Sequence, residues 1–191
     1  MENELDAYLG VINRFFAYHG HKSVKNSQHG KERAYPFIAM DTRQVFEQIS
    51  FLHDYLGMET GNRKYRFLDV GCGIGNILLV AEQYGFDVFG FEKDPYPCQL
   101  ARELVGEDRV WEDDARTFTG YSEYDVVYFF RLLPDAGPQA ALEKMIEEQL
   151  KPGAILIANW KLGRSVEHDR RFEKIHQHYP IWQKKFIEPA P

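Results

Sequence analysis

Residues 67–76 read Phe-Leu-Asp-Val-Gly-Cys-Gly-Ile-Gly-Asn, a short apolar run that breaks into glycines at alternate positions, Gly71, Gly73 and Gly75. An apolar run of this length suits a strand buried on both faces, as in a parallel sheet. Glycines directly after it let the backbone turn tightly and approach a ligand closely before a helix begins. Ile77 to Tyr84 has the composition for that helix. The segment therefore demands an α/β architecture with a binding turn at a strand end.

Such turns serve both dinucleotides and S-adenosylmethionine, so the neighbouring residues must discriminate. Asp69 stands at the carboxyl end of the strand, where the pyrophosphate of a dinucleotide would be repelled. The ammonium and sulfonium of S-adenosylmethionine would be attracted. Asn76 occupies the place where the dinucleotide fingerprint needs a small residue. A second strand, Asp87 to Glu92, ends in a carboxylate 17 positions after Gly75, suited to both ribose hydroxyls of either cofactor. Val110-Trp-Glu-Asp-Asp-Ala115 then brings Asp114 and Ala115 to a third strand end, where Asp114 can accept from an adenine amino group. Alternatives stay open: Asp69 as acceptor for the amides of the turn, Glu92 as a solvated acid, and the Asp113–Asp114 pair as turn chemistry.

These segments, in this order, resemble the class I S-adenosylmethionine-dependent methyltransferases over residues 40–160. The resemblance is completed by a fourth strand, Tyr124 to Phe130, and a fifth, Leu150 to Asn159. It implies a doubly wound, mostly parallel Rossmann-like sheet with S-adenosylmethionine across its carboxyl ends. The implied cofactor-binding set is Asp69, Gly71, Cys72, Gly73, Gly75, Asn76, Glu92, Lys93, Asp114, Ala115 and Phe130. Candidates beside the acceptor are Arg131, which cannot act as a base and would clamp an anionic group, and Asp135; Tyr128 and His53 are further candidates. The family's nucleobase and glutamine amine methylators carry Asn or Asp, two prolines and an aromatic at the fourth strand. Phe129-Phe-Arg-Leu-Leu-Pro134 departs from that pattern. The lead-in Tyr35 to Arg43 somewhat resembles protein-lysine methyltransferases, so a small molecule and a protein side chain both remain as acceptors. A non-catalytic binding module on the same fold is the alternative, and a nicotinamide oxidoreductase is disfavoured by Asp69 and Asn76.

The rest of the chain frames this domain. An amphipathic helix is expected over Glu4 to Tyr18, followed by a polar stretch, His19 to Arg33, without a core pattern; residues 1–40 thus form a helix and arm before a domain of residues 41–191. Asp41 or Thr42 should cap a helix reaching Leu56. Beyond Trp160, a polar helix over Ser165 to His178 and one strand, Ile181 to Ile187, leave the sheet one strand shorter than the family usually has. Although the net charge is −6, segments 14–33 and 161–185 are basic and the middle is acidic. That balance argues against strong nucleic-acid binding and leaves room for an anionic acceptor. Two cysteines cannot form a disulfide framework, and no leader or apolar stretch near 18 residues is present, so a soluble cytoplasmic protein is expected. His19, His21 and His29 lack companion ligands at suitable spacing, and no metal is expected.

Overall fold

The computed structural model describes residues 2–26, 40–61 and 63–186. Helix α1 spans Glu2–Asn26 and α2 Thr42–Tyr55; strands and helices then alternate as β1 Arg66–Val70, α3 Asn76–Gln83, β2 Asp87–Glu92, α4 Pro95–Val105 and β3 Val110–Glu112. After a short 3₁₀ turn, Tyr121–Glu123, come β4 Val126–Phe130, α5 Ala136–Gln149, β5 Ile155–Asn159, α6 Ser165–His168, β6 Phe172–Lys174 and β7 Ile181–Lys184. The strand order is β3-β2-β1-β4-β5-β7-β6, with β1 to β5 parallel and β7 antiparallel to both neighbours. The order reverses between β1 and β4, and ligands of open α/β sheets bind at that switch point, beyond the carboxyl ends.

Alternation along the central strands builds two core layers. Phe67, Val126, Tyr128, Ile155 and Ile157 pack under α2, α3 and α4. Leu68, Val127, Phe129, Leu156 and Ala158 pack against α5, α6 and the 3₁₀ turn. Helix α2 begins where expected, because the Asp41 carboxylate accepts from the Gln44 amide at 2.9 Å.

Two expectations are corrected. The first helix does not end at Tyr18: α1 continues to Asn26, since Leu9, Phe16, Gly20 and Ser23 keep one buried side at helical spacing. Small residues carry the last turns of that side, which is why no apolar pattern announces them. Residues 27–39, including His29 and most of the lysine-methyltransferase-like lead-in, lie outside the described residues. The carboxyl-terminal segment is also not a long helix plus one strand. The Asp169 carboxylate accepts the Arg171 amide at 2.8 Å and holds its guanidinium, closing a turn straight after α6. The chain then forms β6 against β7, burying Phe172 and Trp182. Both terminal antiparallel strands are therefore present and the sheet is not shortened; β7 pairs directly with β5.

Candidate functional site

At the end of β1 the backbone enters the left-handed region at Gly71, Gly73 and Gly75, with φ of 68°, 55° and 82°. Only glycine occupies such a series without strain. A Cβ on Gly71 would meet Leu132 Cδ2 at 2.6 Å, so the loop after β4 closes directly on the turn. Asn76, buried, opens α3, and Cys72 lies beneath the turn with its thiol raised by burial.

Asp69 is 2% exposed, and its Oδ2 has no hydrogen-bond partner. Burial, reinforced by the nearby charge of Glu92, pushes its carboxyl well above the usual carboxylate range. A buried carboxylate oxygen without a partner is costly, and its presence beside a ligand-binding turn marks a place for a cation. Removing it makes a prediction. A carboxyl whose folded pKa is raised is most favourable to folding below its unfolded pKa of about 3.9, and that stability is lost as pH rises through the folded value. Asp69→Asn should therefore melt higher than the wild type at neutral pH, with the gap closing towards about pH 4 in ligand-free melting curves. On the reading that Asp69 receives the cofactor's ammonium, the same variant should bind S-adenosylhomocysteine about tenfold or more weakly.

Glu92 ends β2 and is not a solvated acid. Its Oε2 accepts the Gly73 amide at 3.0 Å, while Oε1 accepts the amides of Lys93 and Asp94 at 2.7 and 2.9 Å. Burial raises its pKa against the lowering effect of those amides. The residue thus ties the glycine turn to the start of α4 while keeping lone pairs for further donors. Asp114 lies past β3, bonded to the Arg116 guanidinium at 3.0 Å and paired with Lys93 Nζ at 3.0 Å. The Arg116 bonds chiefly hold its pKa below the ordinary value. Any adenine amino group at Asp114 would join an ion-pair cluster. The neighbouring Ala115 carbonyl accepts from the Tyr121 hydroxyl at 2.9 Å.

Around the end of β4 the residues expected beside the cofactor, Phe130, and beside the acceptor, Arg131 and Asp135, separate. Phe130, at the end of β4, stacks with Trp160 at 5.1 Å between centroids. The Arg131 guanidinium turns back on its own loop, donating to the carbonyls of Leu133 at 3.3 Å and Pro134 at 2.7 Å. Asp135 occupies the position before α5 without a side-chain cap bond. His53 is excluded from the acceptor side: it lies in the last turn of α2, its ring 5.6 Å from that of Tyr84 just after α3, at the amino end of the sheet. Tyr128 is buried, with its hydroxyl on Met40 Sδ.

Two buried polar clusters were not foreseen. Asn159, ending β5, exchanges hydrogen bonds of 2.9 and 3.1 Å with Gln48 and accepts from Gln44 at 3.2 Å, fastening α2 to the carboxyl edge. In the other layer, Gln139, Glu143 and Glu147 of α5 lie in line beneath two loops. Gln139 accepts the amides of Leu132 and Leu133 at 3.0 and 2.7 Å and donates to Glu143 at 2.8 Å. Glu143 in turn accepts the amides of Leu162 and Gly163 at 2.9 and 2.6 Å, and Lys161 Nζ reaches Glu143 and Glu147 at 3.3 and 3.0 Å. The signal in the sequence was the spacing of four between these polar residues, which on an isolated helix reads equally as a solvated stripe.

This switch-point sheet, with a glycine turn and an acid ending β2, defines a Rossmann-like domain with a ligand-binding turn at the carboxyl ends of its strands. The chain belongs to the family described as the methyltransferase domain, whose model matches residues 25–188. It is 33% identical over 134 residues to 2-methyl-6-phytyl-1,4-hydroquinone methyltransferase of Synechocystis sp., covering 65% of this chain and 42% of that protein. To a lysine N-methyltransferase of Rattus norvegicus, named for an ATP synthase subunit, it is 29% identical over 129 residues, 64% of this chain and 54% of that protein. The chain thus spans about half the length of these relatives. In fold it matches a crystal structure of an RNA methyltransferase from Salinibacter ruber in complex with S-adenosyl-L-homocysteine, with a TM-score of 0.55, 23% identity and coverage of 81% of this chain and 97% of that one. Among the described residues no helix is long and apolar enough to cross a membrane.

Proposed function

We propose that this chain is an S-adenosylmethionine-dependent methyltransferase that binds its cofactor across the carboxyl ends of β1, β2 and β3. The observation that carries the reading is the buried, unpartnered Asp69 oxygen beside a left-handed glycine turn, an arrangement suited to a cationic ligand approached closely by backbone. The bound cofactor supplies an activated methyl group on a sulfonium. Asp69 offers its carboxylate to the ammonium, Glu92 its remaining lone pairs to ribose hydroxyls, and Asp114 with Ala115 the adenine edge. Gly71, Cys72, Gly73, Gly75 and Asn76 line the turn, and Lys93 holds Asp114 in place. In-line transfer needs no metal and no covalent intermediate. What this site supplies is orientation, worth effective molarities of about 10⁵ M or more in favourable cases.

The acceptor is a small molecule or a protein side chain, as the hydroquinone and lysine substrates in the relatives' names suggest. Arg131 and Asp135 stand at the loop it would approach, with Arg131 shaping that loop through its carbonyls. Helix α1, the described part of the amino-terminal arm, packs on α2 and α4. A cytoplasmic setting is consistent with two buried, unpaired cysteines, Cys72 and Cys98.

Thermal unfolding with S-adenosylhomocysteine, NAD or buffer tests the reading. Ligand at 100 times its dissociation constant adds about 2.7 kcal/mol, so a rise confined to S-adenosylhomocysteine is expected. No rise would favour a scaffold role, and a rise only with NAD would overturn the assignment. Glu92→Gln should weaken S-adenosylhomocysteine by about 1–3 kcal/mol in calorimetry. It should also lower the ligand-free melting temperature, because the same carboxylate accepts three backbone amides.

A further inference from the structure

Trp160 is the only non-glycine residue with positive φ among the described residues, at 53°, and its side chain is 61% exposed. A bulky residue in this region is strained, and glycine or asparagine would meet the backbone requirement at less cost. The backbone requirement itself is clear. Asn159 is fastened to Gln48 in the α2 layer, whereas Lys161, two residues on, is fastened to Glu143 and Glu147 in the α5 layer. Regular alternation would return residue 161 to the α2 side, and the left-handed residue between them makes the switch. Nothing in that switch calls for an indole. The ring enters neither core layer and leans over the sheet end onto Phe130, at 5.1 Å and 38°.

Residues held in sparsely populated backbone conformations cluster at functional sites. The surrounding chemistry narrows the partner. Leu162 is also exposed, at 40%, while the neighbouring cations are each paired: Lys161 with its buried carboxylates, Arg131 with the carbonyls of its own loop, and the exposed Arg164 with Glu167 at 3.8 Å. We infer that Trp160 and Phe130 form the wall against which the methyl acceptor docks, and that the acceptor presents a flat, uncharged aromatic ring. This rests on the methyltransferase reading above, which places the acceptor at the loop after β4, and Phe130 at the end of that strand is paired in register with Asn159, next to Trp160. Trp160 is then a specificity-determining residue, pre-set by the Asn159 and Lys161 anchors.

Saturation-transfer NMR with 2-naphthol as the aromatic probe and n-butylammonium as the cationic one tests this on the whole chain, with S-adenosylhomocysteine titrated separately by calorimetry. 2-Naphthol should bind the wild type and Trp160→Phe. It should bind Trp160→Gly about tenfold more weakly, the scale of one lost aromatic contact. Trp160→Gly should keep its affinity for S-adenosylhomocysteine and melt no lower than the wild type, whereas loss of a residue with a packing role would lower the melting temperature. Trp160→Asn, also at ease in this conformation, serves if the glycine variant folds poorly. Undiminished 2-naphthol binding in the variants, no binding to the wild type, or preference for n-butylammonium would each overturn the inference. A wild type that binds 2-naphthol but not S-adenosylhomocysteine would instead overturn the cofactor assignment.

Discussion

Gly73→Val is expected to abolish the thermal stabilisation that S-adenosylhomocysteine gives the wild type. Gly73 is buried in the turn with φ of 55°, and its amide donates to Glu92 at 3.0 Å. A valine there costs at least about 1–2 kcal/mol for the left-handed backbone alone, so the ligand-free variant should also melt lower. On the proposed placement of the cofactor across this turn, its branched side chain would take space the ligand needs. The wild type gains about 2.7 kcal/mol at a ligand concentration 100 times the dissociation constant, and the variant should gain nothing measurable. Gly73→Ala should fall between them. A folded Gly73→Val with wild-type affinity in calorimetry would falsify the placement of the cofactor.

Lys161→Met should be strongly destabilising, on the scale of truncating a core side chain. Its ammonium is 5% exposed and lies between the carboxylates of Glu143 and Glu147, themselves 0% and 3% exposed. Removing one partner of a buried ion pair leaves an uncompensated charge and costs about 3–5 kcal/mol. In a chain of this size that lowers the melting temperature by roughly 10 °C. Glu143 keeps the amides of Leu162 and Gly163, whereas Glu147 loses its cation, so adding Glu147→Gln should recover part of the loss. A double variant no more stable than Lys161→Met would show that the cost lies in the loop and not in the stranded carboxylate.

Much of this site was legible because its signals are local. A strand followed at once by left-handed turns requires glycine, and an acid ending the next strand is read from a fixed spacing. The Asp41 cap and the bounds of β2 followed from equally short patterns. The polar stretch after Tyr18 and the segment after Trp160 misled for one shared reason. Each contains elements whose burial comes from distant partners: α1 against α2 and α4, and Phe172 with Trp182 against the second core layer. Nothing near them in the sequence marks Gln139, Glu143 and Glu147 as buried; they are compensated in the core by Lys161 and four backbone amides that reach them from two loops.

By itself, then, the sequence determined the α/β class, the switch-point turn and the acids that end its strands, since backbone conformation and strand alternation depend on residues near one another in the chain. Only the tertiary structure decided which polar groups are buried, that the sheet keeps both terminal antiparallel strands, and that Trp160 is held exposed just beyond β5. Those outcomes depend on partners tens of residues away, whose approach sets both the desolvation of a charge and the bonds that compensate it.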